Sequence, residues 1–372
     1  MEAPPLLQQV DQTYVRFGKQ RLSYFSGCDY YRFSTNPLVV AAAREGLELH
    51  GTGVAASRVT TGNHPVYERL EAELADFFGT EAAVLVGSGY STNIAVAQSL
   101  AGKFLRCLID SRSHPALKDA ARFLDCLTMP FAHREATDLT RCVRECDAGT
   151  SLIVLSDGLF AHDGSVAPLA EYREALSPDA LLLVDDAHGA GVLGPSNQGT
   201  HDHCGVSRRR LVQTTTLTKA FGAAGGVILC THDLREKIFE NSALFQGSTP
   251  PPIPMACAAL KSLEILKSDS SFRGRLTANK NYLLTRLQQA GVVIGPNTPG
   301  PVWSFVPASV EQRDKLYHSL VSRRIYPPLI RYPGGPAIGY FRFAISSEHT
   351  LEQLTDLADA LAVIREFFGN DS

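Results

Sequence analysis

Four segments that read as strands each end in a polar cluster, and the residue types at these ends suit one kind of chemistry. Val184 leads into Asp185-Asp-Ala-His-Gly189, Thr216 into Leu217-Thr218-Lys219, and Ile109 into Asp110-Ser-Arg-Ser-His114. Val86 leads into Gly87-Ser88-Gly89-Tyr90, followed by a helical pattern. A lysine amine can form an imine with an aldehyde. A carboxylate can hold a proton on a ring nitrogen, and an imidazole can lie against a flat ring. A Gly/Ser turn that opens a helix offers free N–H groups and a positive dipole end to a phosphate. This turn fits neither the P-loop nor the dinucleotide fingerprint. Lysine, carboxylate, ring face and anion socket are together what pyridoxal 5′-phosphate (PLP) requires. Lys219, Asp185, His114 and Ser88–Tyr90 supply one of each.

The elements that must position these residues are legible as alternating strands and helices. Ala82–Val86, Leu105–Ile109, Leu152–Leu155, Ala180–Val184, Leu211–Thr216 and Val227–Cys230 read as strands. Several are apolar throughout, as strands covered on both faces tend to be. Pro65–Phe78 reads as a helix, with proline in its first turn and Val66, Leu70, Leu74, Phe77 and Phe78 on one face. Such alternation predicts an α/β domain with a mostly parallel sheet. Ligands of open α/β sheets collect beyond the carboxyl ends of the strands, where the four clusters fall.

After about residue 235 the pattern changes. Gly247-Ser-Thr-Pro-Pro-Pro-Ile-Pro254 is a stiff break, followed by a long helical stretch from Met255 to about Gln289. A strand at Val302–Val306, a helix at Val310–Arg323, a strand at Phe341–Ile345 and a last amphipathic helix complete the chain. The expected organisation is an N-terminal arm over residues 1–50 packing with the small domain, a large PLP-binding domain over 51–245, and a linker helix with a smaller α+β domain over 246–372.

Composition narrows the classes. Charged residues are 20% of the chain and hydrophobic ones 44%, so the chain can bury a core. The net charge of −3 offers no general basic field to nucleic acid or an anionic membrane. The longest uncharged apolar stretch, Ala220–Cys230, is too short to span a bilayer. The N-terminus has no cationic region leading into an apolar one, so the expected location is the cytoplasm. The eight cysteines include no CxxC and read as scattered thiols. His201-Asp-His203-Cys204 resembles a metal cluster but has no second ligand pair, and it reads as a surface loop with no metal.

The sequence resembles the α-oxoamine synthases, acyltransferases of the fold-type I PLP enzymes. The resemblance runs over nearly the whole chain. It is carried by Val184-Asp-Asp-Ala-His-Gly-Ala-Gly-Val-Leu-Gly194, Thr216-Leu-Thr-Lys-Ala-Phe-Gly222, Asp110-Ser-Arg-Ser-His-Pro-Ala-Leu117, Phe160-Ala-His-Asp-Gly-Ser-Val-Ala-Pro-Leu169 and Phe341-Arg-Phe-Ala-Ile-Ser-Ser-Glu-His349. It implies that Lys219 forms the imine with the cofactor and later acts as the base at Cα. Asp185 would pair with the pyridine nitrogen, His188 would reach the phenolic oxygen, and His114 would stack on the ring and donate a proton. Ser88, Gly89, Tyr90 and Thr216 would hold ring and phosphate. Ser248 and Thr249 would reach the neighbouring subunit's phosphate, which implies a homodimer. Arg342, with Ser346 beside it, would bind the amino-acid carboxylate. The chain departs from the pattern at Asp157, where several members have Glu, and at Ala161, where many have Ser.

The implied reaction is decarboxylative condensation of a small amino acid with an acyl-CoA or another acyl thioester, giving an α-amino ketone, CO2 and a free thiol. Two other readings stay open at this point. One is a different fold-type I reaction, of aminotransferase or aldolase type. The other is an idle relative acting as a binding subunit, against which the presence of Lys219 argues.

Overall fold

The computed structural model describes residues 5–292, 298–331 and 335–368. The chain divides into two compact units, one formed by Pro37–Phe160 with Val166–Ser268, the other by Met1–Asn36, Ala161–Ser165 and Asp269–Ser372.

The larger unit is built on a seven-stranded sheet. Its strands in chain order are β1 (Ala82–Val86), β2 (Arg106–Asp110), β3 (Leu127–Phe131), β4 (Leu152–Asp157), β5 (Leu181–Asp185), β6 (Leu211–Thr216) and β7 (Gly226–Cys230). The spatial order is β1-β7-β6-β5-β4-β2-β3. β7 is antiparallel to both its neighbours; the remaining pairs are parallel. All residues of β1, β4, β5, β6 and β7 are buried, which explains the apolar runs Ala82–Val86, Leu152–Leu155, Leu181–Val184 and Val227–Cys230. Alternate side chains feed two cores. Ile109, Ile153, Leu183 and Val212 enter one, and Leu108, Val154, Leu182 and Val184 the other. Each such side chain contributes roughly 1.5–3 kcal/mol by leaving water.

β3 is absent from the sequence reading because Pro130 and the polar Thr128 interrupt its apolar character. It is an edge strand, where proline costs no central ladder bond. Helices α1 (Pro37–His50) and α2 (Pro65–Phe78) also belong to this unit. Gly46 of α1 passes so close to helix Ile253–Ser268 that a Cβ there would sit 2.7 Å from the Cys257 sulfur. The expected boundaries at 50 and 246 therefore do not coincide with those of the compact units. The long helical stretch is two helices, Ile253–Ser268 and Ser271–Gln289.

The smaller unit carries a three-stranded antiparallel sheet of β8 (Val302–Phe305), β9 (Leu329–Ile330) and β10 (Tyr340–Ala344), in the order β8-β10-β9. Phe25, Trp303, Leu316, Phe341, Phe343 and Leu357 lie in its core. The N-terminal strands Tyr14–Phe17 and Gln20–Ser23 form a hairpin, and the Ser23 N–H donates to the Arg324 carbonyl at 2.8 Å. No helix among the described residues is long and apolar enough to cross a membrane.

Candidate active site

The carboxyl ends of β1, β2, β4, β5 and β6 lie along one edge of the central sheet. The amino end of β7 joins them, with Gly226 paired to Val86 on one side and Thr216 on the other. This edge brings together the turn after β1, Asp185, Thr216 and the loop carrying Lys219.

The turn after β1 is a helix start. Ser88 is the N-cap of α3 (Gly89–Ser99), its hydroxyl accepting from the Ser91 N–H while the Ser91 hydroxyl accepts from the Ser88 N–H. Two glycines make the approach possible. A Cβ on Gly89 would lie 2.6 Å from the Thr216 Cβ, and one on Gly226 would lie 2.2 Å from the Ser88 carbonyl oxygen. Thr216 is buried and its hydroxyl accepts from the Thr218 N–H at 3.2 Å. The Thr249 carbonyl passes 3.3 Å from the Cβ position of Gly87, so the Ser248–Thr249 segment runs beside the turn of its own chain.

Asp185 is the last residue of β5 and is buried. One carboxylate oxygen accepts from Asn93 Nδ2 at 2.7 Å, and the other from the Ala187 N–H at 3.2 Å. His188, three residues on, is buried as well. Lys219 follows Thr216 by three residues and is half-buried in a turn closed by the Gly222 N–H donating to its carbonyl at 3.1 Å.

His114 caps α4 (Pro115–Ala121), its Nδ1 accepting from the Ala116 N–H at 3.2 Å. Burial holds this imidazole below its usual range; the nearby Asp185 charge opposes the shift and Lys219 adds to it. At neutral pH the ring is uncharged, and with Nδ1 accepting, its proton is on Nε2. The Tyr90 ring stands roughly perpendicular to it, with ring centroids 6.2 Å apart. The His114 N–H donates at 2.7 Å to Asp157, the last residue of β4. Burial, followed by the neighbouring Asp185 charge, pushes the Asp157 carboxyl well up. Lys219 feels both His114 and Asp157, so these four ionisable groups share one neighbourhood.

Arg342 and Ser346 belong to the smaller unit. Phe341 and Phe343 point from β10 into the core, which leaves Arg342 on the other strand face. Its Nη1 donates to the Ala161 carbonyl and its Nη2 to the Cys28 sulfur, both at 3.4 Å, and its buried Nε has no partner among the described residues. Ser346 is placed differently from the sequence expectation. It is buried, and both its N–H and its hydroxyl engage His349 Nδ1, at 2.9 and 3.0 Å. His201 is also not on a surface loop: it is buried in the short helix Thr200–His203.

The residues at the sheet edge fit PLP. The turn after β1 starts helix α3, Gly89 and Gly226 let it pack closely on β6 and β7, and a buried carboxylate, an uncharged imidazole and a half-buried lysine lie along the same sheet edge. The model of the family described as "Aminotransferase class I and II" matches residues 27–361. The chain belongs to the class I and II aminotransferase family. Within it the chain is an α-oxoamine synthase, a PLP-dependent acyltransferase. It is 34% identical to 8-amino-7-oxononanoate synthase of Stutzerimonas stutzeri over 364 residues, 96% of this chain and 91% of that one. It is 31% identical to the Lysinibacillus sphaericus enzyme of the same name over 342 residues, 91% and 87% of the two chains. The structure of Sphingomonas wittichii serine palmitoyltransferase matches with a TM-score of 0.89 at 25% identity, covering 95% of this chain and 90% of that one. The central sheet is that of a fold-type I PLP transferase.

Asn93 and Thr214 are functional candidates that the sequence reading passed over. An asparagine inside a buried helix is a poor helix former, and that was the available signal.

Proposed function

We propose that this enzyme condenses a small α-amino acid with an acyl-CoA, or another acyl thioester, and releases the thiol and CO2 to leave an α-amino ketone. The observation that carries the reading is the clustering of Lys219, His114, Asp157 and Asp185 on the sheet edge where the Gly/Ser turn opens α3. The names of the relatives agree: 8-amino-7-oxononanoate is an α-amino ketone, and serine palmitoyltransferase transfers an acyl group to an amino acid.

When bound, PLP supplies an electron sink for charge developing at the amino-acid Cα. Lys219 would anchor the cofactor at rest, then take the Cα proton and later return one. Asp185 would keep a proton on the ring nitrogen, and its burial would strengthen that charge-assisted bond. His114, a neutral imidazole, would lie on the ring face and offer its Nε2 proton to a carbonyl oxygen. His188 would hydrogen-bond the phenolic oxygen. Ser88, Gly89, Tyr90 and Thr216 would hold the phosphate at the α3 N-terminus. Arg342 would take the amino-acid carboxylate. The bonds balance: Cα–H and then Cα–carboxylate break, Cα–acyl forms, and the thioester sulfur leaves as the thiol.

The proposed assembly is a homodimer, with Ser248 and Thr249 reaching the partner's phosphate. Leu38, Leu47 and Leu49 of α1, with Val59, expose the apolar surface that such an interface would cover.

The experiment is a thiol-release screen of glycine, alanine and serine against a panel of acyl-CoAs. Stoichiometric CO2 and thiol with one pair supports the reading. Amine transfer to a 2-oxo acid with no thiol release would replace it.

A further inference from the structure

Helix α3 and strand β6 meet at two matched points. Gly89 lies against Thr216, and the Thr214 hydroxyl donates to Asn93 Oδ1 at 2.7 Å. Four helical residues rise about 6 Å and two strand residues about 6.6 Å, so the pairs stay in register. Asn93 Nδ2 then donates to Asp185 on the adjacent strand. Asn93 and Thr214 are fully buried and Asp185 nearly so.

We propose that Asn93 is a positioning residue for the cofactor's ring nitrogen, acting through Asp185, with Thr214 setting the direction of its amide. The proposal rests on the reading that Asp185 pairs with that nitrogen. The Thr214 hydroxyl occupies the Asn93 carbonyl, so the amide NH2 is the end left for Asp185. A flipped amide would set its oxygen against the carboxylate. The second donor, the Ala187 N–H, reaches the other carboxylate oxygen at a longer 3.2 Å. The two donors fix the plane of the carboxylate and leave lone pairs for a ring N–H. The neutrality of Asn93 matters. A lysine or arginine here would neutralise Asp185 and compete with a protonated ring; an amide orients the carboxylate and leaves its charge in place. One helix therefore registers both ends of the cofactor: its first residue borders the phosphate cradle, and its fifth holds the ring-nitrogen carboxylate.

The test is a double-mutant cycle on the PLP-loaded enzyme, with Asn93→Ala, Thr214→Val, Asp185→Asn and the two pairings with Asp185→Asn. The readouts are PLP dissociation constant, the pH dependence of the bound cofactor's visible absorbance, and Cα–H exchange of the amino acid in D2O. Losing a hydrogen bond to a charged group predicts about ten- to a hundredfold weaker PLP binding and slower exchange for Asn93→Ala. Thr214→Val, which keeps the side-chain shape, should move both in the same direction by less. In the Asp185→Asn background either change should add less than about twofold, because coupled residues do not add. Equal penalties in both backgrounds would overturn the proposal: Asn93 would then act independently of Asp185. If Asp185→Asn itself leaves absorbance and exchange untouched, it is the ring-nitrogen reading of Asp185 that fails. Should Asn93→Ala not fold, by circular dichroism, the Thr214→Val cycle decides alone.

Discussion

Asp185 and Asp186 are neighbours in sequence, yet their carboxylates leave β5 toward opposite faces of the sheet. Asp185 meets Asn93 of α3; Asp186 accepts from the Thr200 N–H at 2.7 Å, the Thr200 hydroxyl at 2.6 Å and Gln213 Nε2 at 2.7 Å. Asp186 fills a socket of three glycines, since a Cβ on Gly158, Gly189 or Gly199 would come within 2.5, 2.2 or 1.9 Å of its oxygens. Asp185→Asn should therefore suppress Cα–H exchange with little loss of stability. Asp186→Asn sets an NH2 among donors and should cost about 1–3 kcal/mol in urea unfolding. The reverse pattern would shift the assignment by one residue.

Lys219 should carry the cofactor. Borohydride reduction of the holoenzyme followed by peptide mapping should find the phosphopyridoxyl label on Lys219. A label on Lys103 or Lys118 would remove the basis of the proposed chemistry.

Gly226 tests the phosphate cradle without altering any side chain assigned a chemical role. It sits in the ladder between Val86 and Thr216, and an added methyl would press on the Ser88 carbonyl that precedes α3. Overpacking of this kind costs about 1–3 kcal/mol. Gly226→Ala should weaken PLP binding roughly ten- to a hundredfold by that amount. Equilibrium dialysis of PLP checks it, and unaltered affinity would move the phosphate elsewhere.

Two buried groups give stability opposite pH dependences. Burial holds His349 at about 3 against an ordinary 6.5, while burial raises Asp186 from 3.8 to about 6. Below pH 6.5 the unfolded chain binds a proton at His349 that the folded chain refuses, so stability from this site falls as pH drops toward 3. Between pH 3.8 and 6 the folded chain holds a proton on Asp186 that the unfolded chain has released, so stability from that site falls as pH rises. Near pH 5 the two partly cancel. His349→Gln removes only the first, so on going from pH 7.5 to 5 the variant should gain about 1–2 kcal/mol relative to the wild type. Urea midpoints at the two pH values measure this, and parallel changes would assign the acid response to other groups.

Much of the fold was legible because the buried strands impose apolar runs of four or five residues, as in Ala82–Val86 and Leu181–Val184. The placement of Asp185 directly after such a run, and of Lys219 just beyond the strand Leu211–Thr216, made the cofactor edge readable. β3 was hidden because an edge strand tolerates Pro130 and exposed side chains. Asn93 and Thr214 were hidden for another reason. They lie 121 residues apart, and their roles arise only when α3 packs on β6. Ser346 shows the converse. Its motif was readable, but its hydroxyl is occupied by His349, whose Nε2 in turn meets the Tyr24 carbonyl at 3.0 Å and ties the strand exit to the N-terminal segment.

Arg342 should select amino acids by their carboxylate. Its guanidinium makes two weak hydrogen bonds, at 3.4 Å to a carbonyl and a thiol, and its buried Nε has no hydrogen-bond partner among the described residues. A carboxylate offers the paired acceptors that this fork lacks, and charge-assisted bidentate bonds are the stronger kind. Fixing the carboxylate also fixes which Cα bond stands perpendicular to the ring, and so which bond can break. Arg342→Lys keeps the charge and loses the fork. The loss of a charged hydrogen bond, about 1.5–3 kcal/mol, should raise the amino-acid KM by roughly ten- to a hundredfold. The acyl-CoA KM should stay near its wild-type value. Steady-state kinetics with each substrate varied in turn separates the two. If Arg342→Lys and Arg342→Ala leave the amino-acid KM alone and change acyl-chain preference, the arginine serves the thioester substrate and the carboxylate is held by another group.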